Sequence, residues 1–307
     1  MSLEYQWVEK YRPAILKDLV LNEDIRSVIS GFLKKKTICN LLLAGRAGIG
    51  KTTLAKIISN ELNATLLYIN ASVDNNVETV RTKVKEFCDS VALDGLKIVI
   101  LDEADSLSSN AGTGASAQGA LRNIIETSSD DTRFILTCNY LNKIIEPIQS
   151  RCSPIKLRFT IDDVLKRCVT ILQAEKVKFD AETLTEFAQE VIKRKLPDVR
   201  SIVNNLEQWS ISGTLENKGS NESAEIEKII EGIYKADNVL KIREFLISNE
   251  DKFSGDYEML AKLLFEKYFD DAKGGKTQLV IAESMYRMAV CLDSEVQFYA
   301  MLLQIKK

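Results

Sequence analysis

Five short apolar runs punctuate the first half of the chain: NLLLA (40–44), LLYIN (66–70), KIVILD (97–102), RFILTC (133–138) and IKLRF (155–159). Between them the apolar residues recur at helical spacing, as in KTTLAKIISNEL (51–62) and VETVRTKVKEFCDSV (77–91). Short buried strands that alternate with amphipathic helices predict βαβ units and a parallel sheet covered on both faces. From about residue 161 the strand-like runs stop. IDDVLKRCVTILQAE and DAETLTEFAQEVIKR take over, each opening on Asp-bearing turns suited to helix N-termini. GTLENKGSNESAEIEK (213–228) is polar and rich in Gly, Ser and Asn, which predicts a linker. Beyond it EIEKIIEGIYK, NVLKIREFLISN, YEMLAKLLFEKYF and TQLVIAESMYRMAVCL predict a helical bundle. The predicted organisation is an α/β domain over 1–160, a small helical domain over 161–213 and an all-helical domain over 214–307.

Composition narrows the chemistry. The chain has no histidine, which excludes Ser-His-Asp and Cys-His hydrolases and any His-ligated metal. Carboxylates, amides, hydroxyls, Lys and Arg remain. The six cysteines form no C-x-x-C pair, so zinc-ribbon and thioredoxin-type readings lack their spacing, and packing roles are expected. No apolar stretch is long enough for a membrane helix, and the charged start MSLEYQWVEKYRP does not read as a secretory signal. An intracellular setting is expected, cytoplasmic or, in a eukaryote, nuclear. The net charge of −3 gives the whole chain no generic affinity for nucleic acid. DNA contact would need a local basic surface.

The first apolar run leads into GRAGIGKT (45–52), spelling G-x-x-x-x-G-K-T between a strand and a helix. In that context the glycines Gly45, Gly48 and Gly50 let the backbone approach phosphates, and the amides point inward as an anion nest. Lys51 supplies a charge for the β- and γ-phosphates, and Thr52 a hydroxyl for Mg²⁺. The run KIVILDEADSL ends its strand in Asp102 and Glu103. One carboxylate at such a strand tip can hold Mg²⁺ while the next polarises an attacking water. The letters DEAD also suggest an RNA helicase. That reading needs a second RecA-like domain and a His-Arg-rich motif, whereas this chain turns helical and has no histidine.

The ordered set VEKYRP (8–13), AGRAGIGKTTLAK, INAS (69–72), VRTKVKEF (80–87), KIVILDEADSL, AQGALRNIIE (117–126) and RFILTCNYLNKIIEPIQSRC (133–152) resembles the AAA+ ATPases that load sliding clamps. The nearest likeness is to the replication factor C small subunit and to the ATPase subunit of T4-like phage clamp loaders. It is dense over 7–160, fair to about 210, and architectural beyond. The resemblance implies an AAA+ fold: a RecA-like parallel sheet with helices on both faces, a helical lid, and an all-helical collar for oligomerisation. It implies ATP and Mg²⁺ as ligands. Tyr11, Arg12 and Pro13 match the segment beside the adenine. The phosphate loop spans Gly45, Arg46, Ala47, Gly48, Ile49, Gly50, Lys51, Thr52 and Thr53. Asn139 matches the sensor that orients water near the γ-phosphate, and Arg200 in LPDVR the second sensor from the lid. Arg151 in SRC matches the arginine finger that acts on ATP held by a neighbouring subunit, with Glu103 as the catalytic carboxylate and Thr52 and Asp102 at the metal.

Further implied partners are other loader subunits in a hetero-pentamer, the sliding clamp, and primer–template DNA contacted through its backbone. Arg81, Lys85 and Lys143 match DNA-facing positions, with an ordinary solvated basic face as the alternative reading. Gln118 and Arg122 lie on the helix expected to face the centre of the assembly. Three departures stand out: Arg46-Ala47 replaces a usual Pro-Pro, the segment SLSSNAGTGASAQ (106–118) is longer than usual and reads as a mobile loop, and the bacterial four-cysteine zinc module is absent. Another oligomeric AAA+ motor or remodeller, or a non-hydrolysing scaffold subunit, remains as an alternative function.

Overall fold

A computed structural model describes residues 6–73, 77–91, 95–108, 116–128, 131–217, 220–269, 275–291 and 293–306. The core of the long segment after the acidic motif, residues 109–115, and residues 74–76, shortly after INAS, lie outside the described residues. The chain forms two compact units, Met1–Glu216 and Asn217–Lys307. The one division, after Glu216, lies three residues beyond the expected second boundary at 213, and the helices after 161 belong to the same unit as the sheet.

The first unit begins with α1 (Trp7–Lys10), α2 (Glu23–Lys34), β1 (Leu41–Ala44), α3 (Lys51–Glu61), β2 (Thr65–Asn70), α4 (Val77–Asp89) and β3 (Lys97–Asp102). It continues with α5 (Ala117–Thr127), β4 (Thr132–Cys138), α6 (Glu146–Gln149) and β5 (Ser153–Lys156). All pairings in the sheet are parallel, in the order β2-β3-β4-β1-β5. Alternation along the strands explains the layers. Leu42 and Ala44 of β1, with Val99, Leu101, Phe134 and Leu136, face a core shared with Val84 of α4 and Leu121 of α5. Leu41 and Leu43, with Ile98, Ile100 and Ile135, face the other core with Ile29 of α2 and Leu54 and Ile58 of α3. Every residue of β3 is buried, as expected for a central strand covered on both sides.

One residue in that strand is a buried lysine. The Lys97 ammonium ends among the terminal carbonyls of α4, at 2.6 Å from Cys88 O and 2.7 Å from Ser90 O, and pairs with Asp131 at 3.0 Å. Carbonyls left free at a helix end favour a cation there.

Strand β5 differs from the expected 155–159. It pairs Leu41–Ala44 with Ser153–Lys156, and Pro154 is tolerated because this is an edge strand, where a missing N–H is not required. Leu157 still packs into the core and donates its N–H to Ala44 O at 2.9 Å.

The helical part of this unit contains α7 (Ile161–Ala174), α8 (Ala181–Phe187), a π turn at Ala188–Ile192, α9 (Lys193–Lys195) and α10 (Val199–Trp209). Thr160 and Asp163 form a reciprocal capping box at the start of α7, which fixes where the helix begins. DAETLTEFAQEVIKR is therefore not one uninterrupted α-helix, because the π turn breaks its ladder. Val164, Ile171, Leu172, Phe187, Ile202 and Leu206 make its core, against which Trp7, Val8 and Tyr11 of the N-terminal segment pack.

The second unit comprises α11 (Ser220–Lys235), α12 (Val239–Ile247), α13 (Glu250–Phe253), α14 (Tyr257–Phe269), α15 (Gly275–Met288) and α16 (Ser294–Ile305). Its core gathers Ile229, Ile233, Leu246, Leu260, Leu264, Ile281, Phe298 and Leu302. The expected linker at 213–228 is corrected here: residues from Ser220 onward are helical. Ile229, Ile230 and Ile233 bury one face of α11, and that burial outweighs the polar start of the segment. Among the described residues no helix is long and apolar enough to cross a membrane. All six cysteines are unpaired, with Cys138, Cys152 and Cys168 buried as packing residues.

A nucleotide-binding cleft as the candidate site

The strand order places the C-terminal ends of β1, β3 and β4 side by side, which is where parallel α/β sheets receive ligands. The loop after β1, the acidic pair after β3 and the polar residue after β4 converge there. They line a cleft of about 350 Å³, within the ordinary range for a small-molecule site.

The phosphate loop has its conformation from two glycines. Gly48 has φ +74° and Gly50 φ +97°, left-handed values that side chains resist, and Gly50 is the N-cap of α3. The helix N-terminus and its free amides thus face the cleft. Lys51, the first residue of α3, is only 7% exposed. Its ammonium donates to Gly45 O (2.7 Å), Arg46 O (2.9 Å) and Asn139 Oδ1 (2.8 Å). Burial lowers its pKa from the usual lysine value, and the charges around it, Asp102, Asp105 and Glu103 among them, oppose that.

Asp102 is buried and hydrogen-bonded throughout. Thr52 Oγ1 donates to its Oδ1 at 2.7 Å and approaches Oδ2 at 3.0 Å, Thr137 Oγ1 donates to Oδ1 at 2.7 Å, and the Tyr68 hydroxyl donates to Oδ2 at 2.9 Å. Burial, then the bond to Asp102, pushes the Tyr68 phenol well above its ordinary pKa. Glu103 has φ +55°, an uncommon backbone for a non-glycine residue, and its N–H donates to Thr137 Oγ1 at 3.0 Å. Thr137 therefore fixes both acidic residues at once. Asp105 Oδ2 accepts the N–H groups of Asn139 (3.1 Å) and Tyr140 (3.2 Å), tying the acidic turn to the tip of β4.

The donor set suits a magnesium ion. A hydroxyl and a carboxylate stand within hydrogen-bond distance, and both are hard oxygen ligands. Among the described residues no group of three or more Cys, Asp and Glu can hold a metal alone. An ion here would complete its shell with phosphate oxygens and water, as Mg²⁺ does at nucleotide sites.

The expected residues distribute as follows. Tyr11, Arg12, Pro13, Ala47, Gly48, Ile49, Gly50, Lys51, Thr52, Thr53, Asp102, Glu103, Asn139 and Arg200 all line the cleft. Gly45 and Arg46 do not line it, since they turn their carbonyls to Lys51. The N-terminal segment is held to the lid helices: the Tyr11 hydroxyl donates to Glu175 Oε1 at 2.5 Å, and Arg167 donates to Tyr11 O at 2.9 Å. Arg151 lies away from this cleft. It lines an open groove with Phe32, Lys35 and Arg133, donates to Pro147 O at 2.7 Å, and pairs with Glu126. Arg81 and Lys85 are exposed on α4, and Lys143 is exposed in the turn after β4 with its ammonium 5.0 Å from the Tyr140 ring centroid. Gln118 is buried and bridges Leu107 O, Lys143 O and Ile145 N, joining the acidic segment to that turn.

Sequence reasoning missed Lys56, Tyr68, Thr137, Arg167 and Asp198. Strand periodicity carried a signal for Tyr68 and Thr137: Tyr68 stands two residues before Asn70, which also lines the cleft, and Thr137 two before Asn139, just past the end of β4. Nothing local marked Asp198. Its carboxylate caps α10 by accepting Ser201 N–H at 3.1 Å and lies against Gly48. A Cβ on Gly48 would stand 1.8 Å from Asp198 Oδ1, and φ +74° adds backbone strain. Gly48→Ala is expected to lower nucleotide affinity about tenfold or more, a loss of roughly 1–3 kcal/mol from the left-handed strain alone. Equilibrium binding of a fluorescent ATP analogue measures it, and unchanged affinity would refute the close approach.

Residues 41–159 match the family model described as ATPase family associated with various cellular activities (AAA). The replication factor C small subunit of Sulfurisphaera tokodaii is 33% identical over 99% of this chain and 97% of its own length. The chain belongs to the replication factor C small-subunit family. Replication factor C subunit 4 of Saccharomyces cerevisiae is 36% identical over 79% of this chain and 69% of its own length, and the small subunit of Haloarcula marismortui 31% over 97% and 94%. A solved Thermotoga maritima RuvB variant shares the fold with a TM-score of 0.53 at 17% identity, covering 79% of this chain and 88% of that one. The replication factor C likeness extends through the second helical unit, beyond the AAA segment that carries the cleft.

Proposed function

We propose that this chain is an ATPase subunit of a sliding-clamp loader that couples ATP binding and hydrolysis to clamp opening and placement on primer–template DNA. The observation that carries this is the convergence of the 45–52 loop, Asp102, Glu103 and Asn139 on one cleft, in a chain 33% identical over 99% of its length to a replication factor C small subunit. A scaffold that only holds nucleotide has no need of Glu103 beside Asp102.

In this reading the amides of the 45–52 loop and Lys51 bind the triphosphate, and Thr52 and Asp102 hold Mg²⁺. That ion would neutralise charge on the transferring phosphoryl oxygens. Glu103 takes up hydrogen bonding from the attacking water and polarises it. Asn139, already bonded to Lys51, orients that water near the γ-phosphate, and Arg200 reaches the phosphates from the lid. Tyr11, Arg12 and Pro13 close the adenine side. Arg151 acts in trans, and its distance from its own cleft supports that role. Hydrolysis then depends on assembly, with the second helical unit as the collar. Arg81, Lys85 and Lys143 contact the DNA backbone, giving salt-dependent binding without sequence preference. ATP acts through differential affinity for two conformations of the assembly.

Native mass spectrometry of the complex formed in the source organism tests this. Several copies of this chain with one distinct subunit in a five-subunit assembly, together with a clamp, are expected. A homohexamer without a clamp would favour a remodelling motor.

A further inference from the structure

Asp102 is a short carboxylate whose final torsion is soft, so the plane of its two oxygens is set by what they touch. Two hydroxyls share Oδ1, those of Thr52 and Thr137, both at 2.7 Å. Oδ2 depends on the Tyr68 hydroxyl at 2.9 Å, with Thr52 more distant at 3.0 Å. Pinning one oxygen leaves the carboxylate free to swing, whereas pinning both fixes its plane. The phenol is itself held. Tyr68 is on β2, the strand next to β3, and the Lys56 ammonium of α3 sits 4.8 Å from its ring centroid. Lys56 lies one turn beyond Thr52 on the same helix. The ring thus spans the two elements that supply the hydroxyl and the carboxylate.

We propose that Tyr68 is a positioning residue for the divalent-cation site, its hydroxyl fixing the Asp102 carboxylate in register with the Thr52 hydroxyl. The proposal rests on the reading that Thr52 and Asp102 hold Mg²⁺ beside ATP. Tyr68 itself contacts neither the ion nor the phosphates. Its role is to keep an oxygen from rotating out of reach between turnovers. This division follows from the side chain's placement: Tyr68 lines the cleft with its ring partly in solvent, while its hydroxyl faces the carboxylate.

Tyr68→Phe removes the hydroxyl and keeps the ring. The test is binding of a non-hydrolysable fluorescent ATP analogue to the full-length protein, titrated with Mg²⁺ and repeated in EDTA. In EDTA the variant is expected to bind like the wild type, within about twofold. The Mg²⁺ concentration that half-maximally enhances binding is expected to rise about five- to tenfold, less than the full loss of a hydrogen bond to a charged group, because Tyr68 acts on the ion only through Asp102. At saturating Mg²⁺ the assembled complex is expected to recover most of its turnover. An unchanged Mg²⁺ midpoint would overturn the proposal. An equal loss of affinity with and without the metal would also overturn it, because Tyr68 would then act on the nucleotide or on the fold. If the wild type itself binds the analogue without any response to Mg²⁺, the underlying metal reading fails, and that result is distinct from both.

Discussion

Arg151→Ala is expected to reduce ATP turnover by the assembled complex about 10³-fold while leaving ATP affinity within about twofold, since an arginine finger acts on charge that develops only during transfer. The guanidinium is not among the groups lining its own cleft, so its loss removes no contact to the nucleotide the same chain binds. It rests instead on Pro147 O and on the exposed Glu126 carboxylate. Solvated pairs of that kind add little to stability, so the variant should fold and assemble normally. The measurement is steady-state hydrolysis by the full complex beside equilibrium binding to the isolated chain. Turnover that survives the substitution would show that Arg151 is not the finger. The isolated wild-type chain, lacking a neighbour, should hydrolyse as slowly as the variant complex.

Lys51→Ala has the opposite signature. Its ammonium sits within the phosphate loop, held by Gly45 O and Arg46 O, where it supplies a charge directly to the phosphates. Affinity for ATP is expected to fall about 10- to 100-fold, the range for a hydrogen bond to a charged partner, and turnover to disappear with it. Binding by the isolated chain measures this directly. Equal affinity losses in the Lys51 and Arg151 variants would undo the division between a residue that binds in cis and one that acts in trans.

What the sequence made legible was mostly local. The phosphate loop, its strand and its helix are contiguous, so spacing alone located Lys51 and Thr52. The acidic pair was legible as the end of an apolar run for the same reason. Contacts made across the sheet were not. Tyr68 and Thr137 reach Asp102 only because β2 and β4 flank β3, and that strand order is a property of the whole fold. Asp198 against Gly48 joins positions 150 residues apart, a contact that local pattern cannot signal. The shift of β5 has a similar origin, since its ends are set by pairing with β1 and not by its own apolar content. The helical start of α11 went unread because burial of Ile229, Ile230 and Ile233 outweighs a composition that favours coil. The last helix, α16, falls within the predicted all-helical domain but has no amphipathic segment of its own in the sequence, because its apolar residues do not confine themselves to one face.

Lys51 has three oxygen partners from its own chain. An entering triphosphate must therefore win the ammonium from those acceptors, which lowers the net gain from the contact. The same arrangement works in reverse when product leaves. The departing phosphate gives up a lysine that has neutral oxygens waiting, so the ammonium is never left bare in a partly buried place. Because one of the three acceptors is Asn139, any ligand that draws the ammonium away also releases a hydrogen bond at the tip of β4.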